Sequence, residues 1–156
     1  EHIRPTHEID LVELIDYVIK TYEKILSKNK IKLIFNKIDN CKIIGDRDKL
    51  IEIFTNLIDN SIKYSDKNKE IIITAKKDGD LVIISVADQG IGIPKESIHR
   101  ITERFFTVDP SKSRSVGGTG LGLAIVKHLV SQHRAEMNIN SIENQGTTID
   151  IKFNSL

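Results

Sequence analysis

The spacing of apolar side chains separates helices from strands along this chain. Between residues 9 and 26, apolar positions recur at three- and four-residue steps, which predicts one amphipathic helix with a single buried stripe. A second stripe runs through Leu50, Phe54 and Leu57, and a third helical segment covers residues 121–133. The pattern therefore predicts three main helices.

Strands are predicted where apolar and polar residues alternate or where β-branched residues cluster. The predicted strands cover residues 31–35, 43–44, 70–76, 81–87, 136–142 and 147–153. Asp-Gly-Asp at 78–80 and Asn-Gln-Gly at 144–146 are typical of hairpin turns. Because alternation implies a sheet with one buried face, the predicted fold class is α/β: a two-layer α/β sandwich whose mixed, mostly antiparallel sheet is covered on one face by three helices.

Composition narrows the class of protein without naming a function. The chain has 156 residues and a formal net charge of +1, which suits one globular domain and gives no reason to expect a nucleic-acid partner. Its single cysteine, Cys41, cannot form an internal disulfide, so we expect a cytoplasmic domain. The chain does not begin with methionine, and we therefore expect it to be part of a longer protein.

The first candidate site lies on the second predicted helix, in the sequence Asn-Leu-Ile-Asp-Asn-Ser-Ile-Lys-Tyr at 56–64. Asn56, Asn60, Lys63 and Tyr64 fall on one face, since residues three and four apart stack on a helix. Amide oxygens suit a hard cation such as Mg²⁺, and a lysine can hold a phosphate as a point charge. By itself, the pattern also fits a solvated polar helix face.

Two glycine-containing segments provide further candidates. Asp-Gln-Gly-Ile-Gly-Ile-Pro at 88–94 directly follows a predicted strand, where Asp88 can accept a hydrogen bond from an adenine amino group and the glycines let the backbone approach a flat ring. Gly-Gly-Thr-Gly-Leu-Gly at 117–122 opens a helix, and such N-termini bind anions. Alone, the first segment also fits a tight turn and the second a flexible hinge. No Gly-Lys-Ser/Thr follows, so the second segment is not a P-loop.

In this order and spacing, the three motifs resemble the N, G1 and G2 boxes of the catalytic domain of sensor histidine kinases. That domain is a branch of the superfamily that also holds gyrase, Hsp90-type chaperones and MutL-type repair proteins. Residues 103–106 resemble the F box, and Gly-Thr-Thr at 146–148 resembles the closing Gly-Thr element. The resemblance implies a Bergerat-type fold over residues 9–156, a lid at about 105–118, and a linker at 1–8 from a missing dimerisation and phosphoacceptor domain.

The resemblance also implies a role for each matching residue, with ATP and Mg²⁺ as cofactors. Asn60 would coordinate Mg²⁺, Lys63 would contact phosphate, and Asp88 would bind the adenine amino group. The implied cofactor-binding residues are Asn56, Asn60, Lys63, Tyr64, Asp88, Gly90, Gly92, Ile93, Phe106, Gly118, Thr119, Gly120, Leu121, Gly122 and Thr147. The implied catalytic residues are Asn56, Lys63, Arg104 and Arg114.

Three positions depart from the family pattern. ATP hydrolases of the superfamily have a glutamate where this chain has Asn56, and an amide cannot act as a general base. The arginine that often follows the F-box aromatics is Thr107 here, which leaves Arg104, Lys112 or Arg114 to supply that charge. His-Arg-Ala at 133–135 replaces the common His-Gly-Gly and, with residues 102–104, resembles phosphate-regulon sensor kinases.

The function implied by the resemblance is transfer of the γ-phosphate of Mg²⁺–ATP to a histidine on the missing domain, for relay to a response regulator receiver domain. The parent protein would be a homodimer anchored in the bacterial inner membrane. His7-Glu8 begins like a phosphoacceptor motif but continues differently, so His7 is not the expected acceptor. Two alternatives stay open: a nucleotide-binding module without transfer activity, and an ATPase, which Asn56 disfavours.

Overall fold

The computed structural model describes residues 7–65, 68–104, 106 and 122–156. Its helices are α1 Leu11–Thr21, α2 Glu23–Lys28, α3 Arg47–Lys63 and α4 Gly122–Gln132, with a 3₁₀ helix at Lys95–Arg100. Its strands are β1 His7–Asp10, β2 Lys32–Lys37, β3 Lys42–Gly45, β4 Glu70–Asp78, β5 Leu81–Asp88, β6 Glu136–Ile142 and β7 Gly146–Asn154. None of the helices in these ranges is long and apolar enough to cross a bilayer.

Five strands form the main sheet in the order β2-β4-β5-β7-β6. The β2–β4 pair is parallel and the other three pairs are antiparallel, so the sheet is mixed and mostly antiparallel, as predicted. Strands β4 and β5 are joined by the hairpin at Gly79-Asp80, and Gly79 adopts a left-handed φ of 61° there. Helices cover one face of this sheet, which confirms the two-layer α/β sandwich.

Helix α3 forms the centre of the helical layer. Asp46 caps its N-terminus by accepting a hydrogen bond from Lys49 N–H at 3.1 Å. The apolar stripe of the sequence is buried against the sheet, where Phe54 and Phe153 of β7 lie with their ring centroids 6.4 Å apart. The opposite face of α3 stays partly exposed, and it carries the first candidate motif.

The first predicted helix, at residues 9–26, is wrong in its bounds. Ile9 belongs to β1, which pairs with β3 in a separate two-stranded antiparallel sheet. The Asp10 carboxylate accepts from the N–H groups of Val12 and Glu13 and thereby starts α1 at Leu11. The helical path breaks at Tyr22 before α2 begins, yet Leu26 is still buried in the same core. The apolar stripe continues across the break at Tyr22, so hydrophobic periodicity alone does not detect the break.

Other predicted boundaries shift by smaller amounts. Strand β1 starts at His7, inside the segment predicted as linker 1–8, while residues 1–6 lie outside the described ranges. The short helix predicted near 95–102 is a 3₁₀ helix that ends at Arg100. Most of the predicted lid at 105–118 is also outside the described ranges, with Phe106 the one lid residue inside them.

His133 connects the end of α4 to the start of α3. Its Nε2 accepts a hydrogen bond from Asp46 N–H at 3.1 Å, and its Nδ1 lies 2.9 Å from Leu129 O. This pairing requires the tautomer in which Nδ1 carries the proton. The ring also makes an edge contact with Phe153, with centroids 6.4 Å apart. His133 therefore joins two helices and the sheet.

We expect His133→Ala to lower the free energy of unfolding by about 1–3 kcal/mol, because it leaves the Asp46 N–H without its acceptor. Urea unfolding followed by circular dichroism measures the change. His128→Ala is the matched control, because His128 is exposed on α4 five residues before His133; this change should cost less than about 0.5 kcal/mol. Equal stabilities for the two variants would contradict the role assigned to His133.

Candidate functional site

A cavity of about 330 Å³ opens between α3, the start of α4 and the ends of strands β5 and β7. Its polar lining comes from Asn56, Asp59, Asn60, Ser61, Lys63, Tyr64, Asp88 and Thr147. Its remaining lining comes from Leu57, Ile91, Gly92, Ile93, Ile101, Phe106, Gly122, Leu123, Ile125 and Ile149. The three motifs, which lie up to 66 residues apart in the sequence, thus meet around one space.

The first and third motifs meet where α4 begins. A Cβ placed on Gly122 would lie 3.5 Å from Asn60 Oδ1 and 3.6 Å from Asn56 Oδ1. Asn56 Nδ2 donates to Glu52 O at 2.9 Å, so the amide group is oriented by its own helix and its oxygen faces α4. Two amide oxygens therefore converge beside Gly122, the first described residue of α4, and such oxygens suit a hard cation.

Lys63 and Asp59 lie on the same wall, one turn apart on α3. Lys63 Nζ lies 2.8 Å from Asp59 Oδ2, and each side chain is about one-third exposed. The ammonium group of Lys63 is thus already paired within the cavity that Asn56 and Asn60 also line.

Asp88, the last residue of β5, lines the cavity beside Ser61 and Thr147. Its Oδ1 accepts from Gly90 N–H at 2.9 Å and from Thr147 N–H at 3.2 Å, while Ser61 Oγ lies 3.5 Å from Oδ2. Burial raises the pKa of the Asp88 carboxyl above its ordinary value of 3.8, and these three hydrogen bonds offset part of that rise. Because Oδ2 has only one long contact in the described part of the chain, it is the oxygen that can accept a further donor.

The turn after Asp88 is packed closely against its neighbours. Gly92 has a left-handed φ of 68°, and a Cβ there would lie 2.2 Å from Ile142 O. A Cβ on Gly90 would lie equally close to Tyr64 O, at 2.2 Å. Ile91 N–H donates to Tyr64 O at 3.2 Å. The turn is therefore held against the C-terminal end of α3.

Comparison with known proteins identifies the family. The sequence profile of the family described as histidine kinase-, DNA gyrase B-, and HSP90-like ATPase, HATPase_c, matches residues 45–155. That match covers well over half of the chain. This chain belongs to the HATPase_c family.

Its relatives within the HATPase_c family include sensor kinases. The chain is 32% identical over 153 residues to the sensor-like histidine kinase SenX3 of Mycolicibacterium smegmatis, covering 98% of this chain and 40% of SenX3. It is 42% identical over 109 residues to the phosphate regulon sensor protein PhoR of Pseudomonas aeruginosa, covering 70% of this chain and 25% of PhoR. The chain therefore spans less than half the length of these relatives.

The fold matches the solved catalytic domain of the histidine kinase ThkA in a nucleotide-free form. The TM-score is 0.84 at 28% identity, with 96% of this chain and 95% of that chain covered. A structure of ThkA in complex with the response regulator protein TrrA matches with a TM-score of 0.81 at 26% identity, covering 96% of this chain and 42% of that chain. The α/β architecture is thus that of histidine kinase catalytic domains.

Most of the residues that the HATPase_c resemblance implied for the site are brought together. Those that line the cavity are Asn56, Asn60, Lys63, Tyr64, Asp88, Gly92, Ile93, Phe106, Gly122 and Thr147. Gly90 is not among the lining residues and packs against the backbone carbonyl of Tyr64. Arg104 is exposed and is not among the lining residues. Arg114, Gly118, Thr119, Gly120 and Leu121 lie outside the described residues, as does Thr107.

Several lining residues of this HATPase_c cavity were not predicted as site residues. Asp59 and Ser61 belong to the same helical motif as the predicted asparagines and Lys63. The available signal for Asp59 was its i, i+4 spacing from Lys63. For Ser61 it was Asp88, its partner at the end of a strand. The apolar wall formed by Ile101, Ile125 and Ile149 carried no such signal, because a buried apolar side chain at helical or strand spacing looks the same in a core as in a pocket.

Proposed function

We propose that this domain binds Mg²⁺–ATP and transfers the γ-phosphate to a histidine on a dimerisation domain outside this chain. The observation that carries the proposal is the convergence of Asn56, Asn60, Asp88 and the start of α4 at Gly122 around one cavity. One end offers a carboxylate acceptor and the other offers amide oxygens, a lysine and a helix N-terminus. That polarity fits a base at one end and phosphates at the other.

At the adenine end, Asp88 Oδ2 would accept a hydrogen bond from the exocyclic amino group. Oδ1 is held by the N–H groups of Gly90 and Thr147, so the carboxylate is fixed in orientation before the nucleotide arrives. Thr147 Oγ1 is itself 2.8 Å from Ser141 Oγ, which in turn binds Ile93 N–H at 2.7 Å. This network would keep the base pocket rigid and lower the cost of ordering it on binding.

At the phosphate end, Asn60 with Asn56 beside it would hold Mg²⁺ through amide oxygens, since this ion takes one or two protein ligands and fills its shell with water and phosphate. When bound, the ion would neutralise charge on the phosphate oxygens. Lys63 would contribute a second positive charge, and the N–H groups at the start of α4 would bind phosphate oxygens. The cation that faces the γ-phosphate would come from the lid or from the residue just before it, with Arg104, Lys112 and Arg114 as candidates.

Transfer is favoured over hydrolysis because the described lining offers no free carboxylate to activate water at the phosphate end. Asn56 stands where the hydrolases of the superfamily have a water-activating glutamate. Among the described lining residues, the carboxylates are Asp59 and Asp88. Asp59 is paired with Lys63, and Asp88 is held by three donors at the far end. Neither is free to act as a general base at the phosphate end.

Mixing this domain with a separately produced dimerisation domain of a sensor kinase and γ-labelled ATP tests the proposal. Label that appears on a histidine supports the kinase, whereas tight ATP binding without any label supports a nucleotide-binding module. Rapid steady-state release of phosphate by the isolated domain would support an ATPase.

The further partners follow from the same proposal. The parent protein would be a membrane-anchored homodimer that passes its phosphoryl group to an aspartate of a response regulator receiver domain. ThkA, whose catalytic domain shares this fold, is known in complex with the response regulator TrrA. Incubating labelled phosphohistidine protein with candidate receiver domains would identify the regulator.

Binding of the base is expected to weaken as the pH falls through the raised pKa of Asp88. The raised pKa of Asp88 means that its carboxylate gains a proton at a higher pH than an ordinary aspartate, and the protonated group no longer accepts from the adenine amino group. Adenosine is the ligand to titrate, because it has no phosphates that ionise in this range. Asp88→Asn should show no such pH dependence, and an equally steep profile in that variant would contradict the assignment.

Unfolding does not explain this loss of affinity. Since burial raises the pKa of Asp88 in the folded state, the folded protein binds this proton more readily than the unfolded chain does. The charged form of Asp88 lowers the free energy of unfolding at pH values above the folded-state pKa. This destabilisation is relieved as the pH falls through that pKa. Asp88 protonation should therefore favour the fold while it weakens adenosine binding.

A further inference from the structure

Lys63 is not a free cation in the cavity. It forms an i, i+4 ion pair with Asp59, with 2.8 Å between Nζ and Oδ2, and both side chains line the same cavity as Asn60. The two side chains are 30% and 34% exposed, so solvent screens this pair less than it screens a pair on an open surface. An acidic residue four positions before a lysine is also the favourable orientation on a helix.

Tyr22 lies on the other side of Asp59. Its hydroxyl lies 3.4 Å from Thr55 O, one turn before Asp59 on α3, so the ring rests on this helix. Burial raises the pKa of Tyr22 to about 12, and the negative charge of Asp59, with a hydrogen bond to its side chain, adds to the rise. The hydroxyl is therefore protonated at neutral pH. Asp59 lies between this neutral group and the Lys63 ammonium.

We propose that Asp59 weakens nucleotide binding by holding Lys63 in an ion pair that the phosphates must open or share. Asp59 is thus a positioning residue that acts through Lys63 and tunes the affinity of the phosphate end alone. Its consequence is a faster release of the diphosphate product, because ADP retains phosphates near Lys63. This inference rests on the proposed binding of ATP in this cavity.

The test measures dissociation constants of Mg²⁺–ATP, Mg²⁺–ADP and adenosine for the wild-type domain and for Asp59→Asn. Freeing Lys63 should tighten both nucleotides by about 3- to 10-fold, the range of a partly exposed charge pair, and leave adenosine unchanged. In a Lys63→Met background the same Asp59→Asn change should have little effect, because its partner is gone. Such a double-mutant cycle isolates the contribution that passes through Lys63.

Asp48→Asn is the matched control. It removes the same charge from the first turn of α3, where Asp48 is exposed and does not line the cavity. The control should leave all three dissociation constants unchanged. Asp59→Ser provides a second way to remove the charge, and thermal unfolding of every variant checks that it is folded.

The inference would be overturned by weaker ATP binding by Asp59→Asn, by an equal change for adenosine, or by an undiminished effect in the Lys63→Met background. Wild-type protein that binds neither ATP nor adenosine would instead remove the proposed function on which the inference rests. Wild-type protein that binds ATP, with no change on Asp59→Asn, would overturn the role of Asp59 alone. The two failures are therefore distinguishable.

Discussion

Asn60→Ala is expected to abolish the Mg²⁺ dependence of ATP binding and to reduce phosphoryl transfer at least about 100-fold, equivalent to roughly 2.7 kcal/mol. The Asn60 amide oxygen faces the start of α4 beside that of Asn56, and alanine leaves nothing at this position to ligate the ion. ATP dissociation constants measured with Mg²⁺ and with excess chelator give the ion's contribution. Labelling of an added dimerisation domain gives the transfer rate.

Two controls separate loss of the ion from loss of the pocket. Adenosine should bind Asn60→Ala as it binds the wild type, because the base end around Asp88 is unchanged. Asn140→Ala removes an exposed asparagine of β6 that does not line the cavity, and it should leave the labelling rate unchanged. Unaltered transfer by Asn60→Ala would remove Asn60 from the proposed magnesium site.

Asp88→Asn is expected to weaken ATP binding about 10- to 100-fold, since a hydrogen bond to a charged acceptor contributes about 1.5–3 kcal/mol. The asparagine oxygen can still accept from Gly90 N–H and Thr147 N–H, so the turn should keep its geometry. The amide nitrogen that replaces Oδ2 is a donor and would face the adenine amino group. Isothermal titration calorimetry measures the change.

The same substitution should narrow the preference for ATP over GTP. Guanine has a carbonyl oxygen where adenine has its amino group, and this oxygen can accept from the new asparagine amide. The fold should not suffer, because burial disfavours the charged form of Asp88. If the ratio of ATP to GTP affinity stays at its wild-type value, Asp88 does not read this position of the base.

The sequence predicts the centre of this domain better than its edges. Leu50, Phe54 and Leu57 are all buried, so their spacing alone reveals α3. Asn56 and Asn60 then fall on the face that the core leaves open. The helix pattern alone also fits a solvated polar face, so it was the combined order and spacing of the three motifs that identified these two amides as site residues.

The predictions that were wrong or missing have physical causes that hydrophobic periodicity does not reveal. Ile9 is buried in a strand and Leu26 in a helix, yet both face the same core, so the break at Tyr22 leaves the apolar pattern intact. The Asp59–Lys63 pair is visible as a spacing, but its position on the cavity wall depends on how α3 packs. A contact of that kind follows from the tertiary fold and not from any local sequence.

The hairpin at Gly79-Asp80 is a suitable place to attach a probe to this domain. It lies at the far end of β5 from Asp88, about 23 Å away at 3.3 Å per residue. A side chain at Gly79 would meet no atom within 4 Å, although its φ of 61° favours glycine or asparagine. A fluorophore attached at Asp80, or a short insertion between the two residues, would report on the domain without touching the nucleotide cavity.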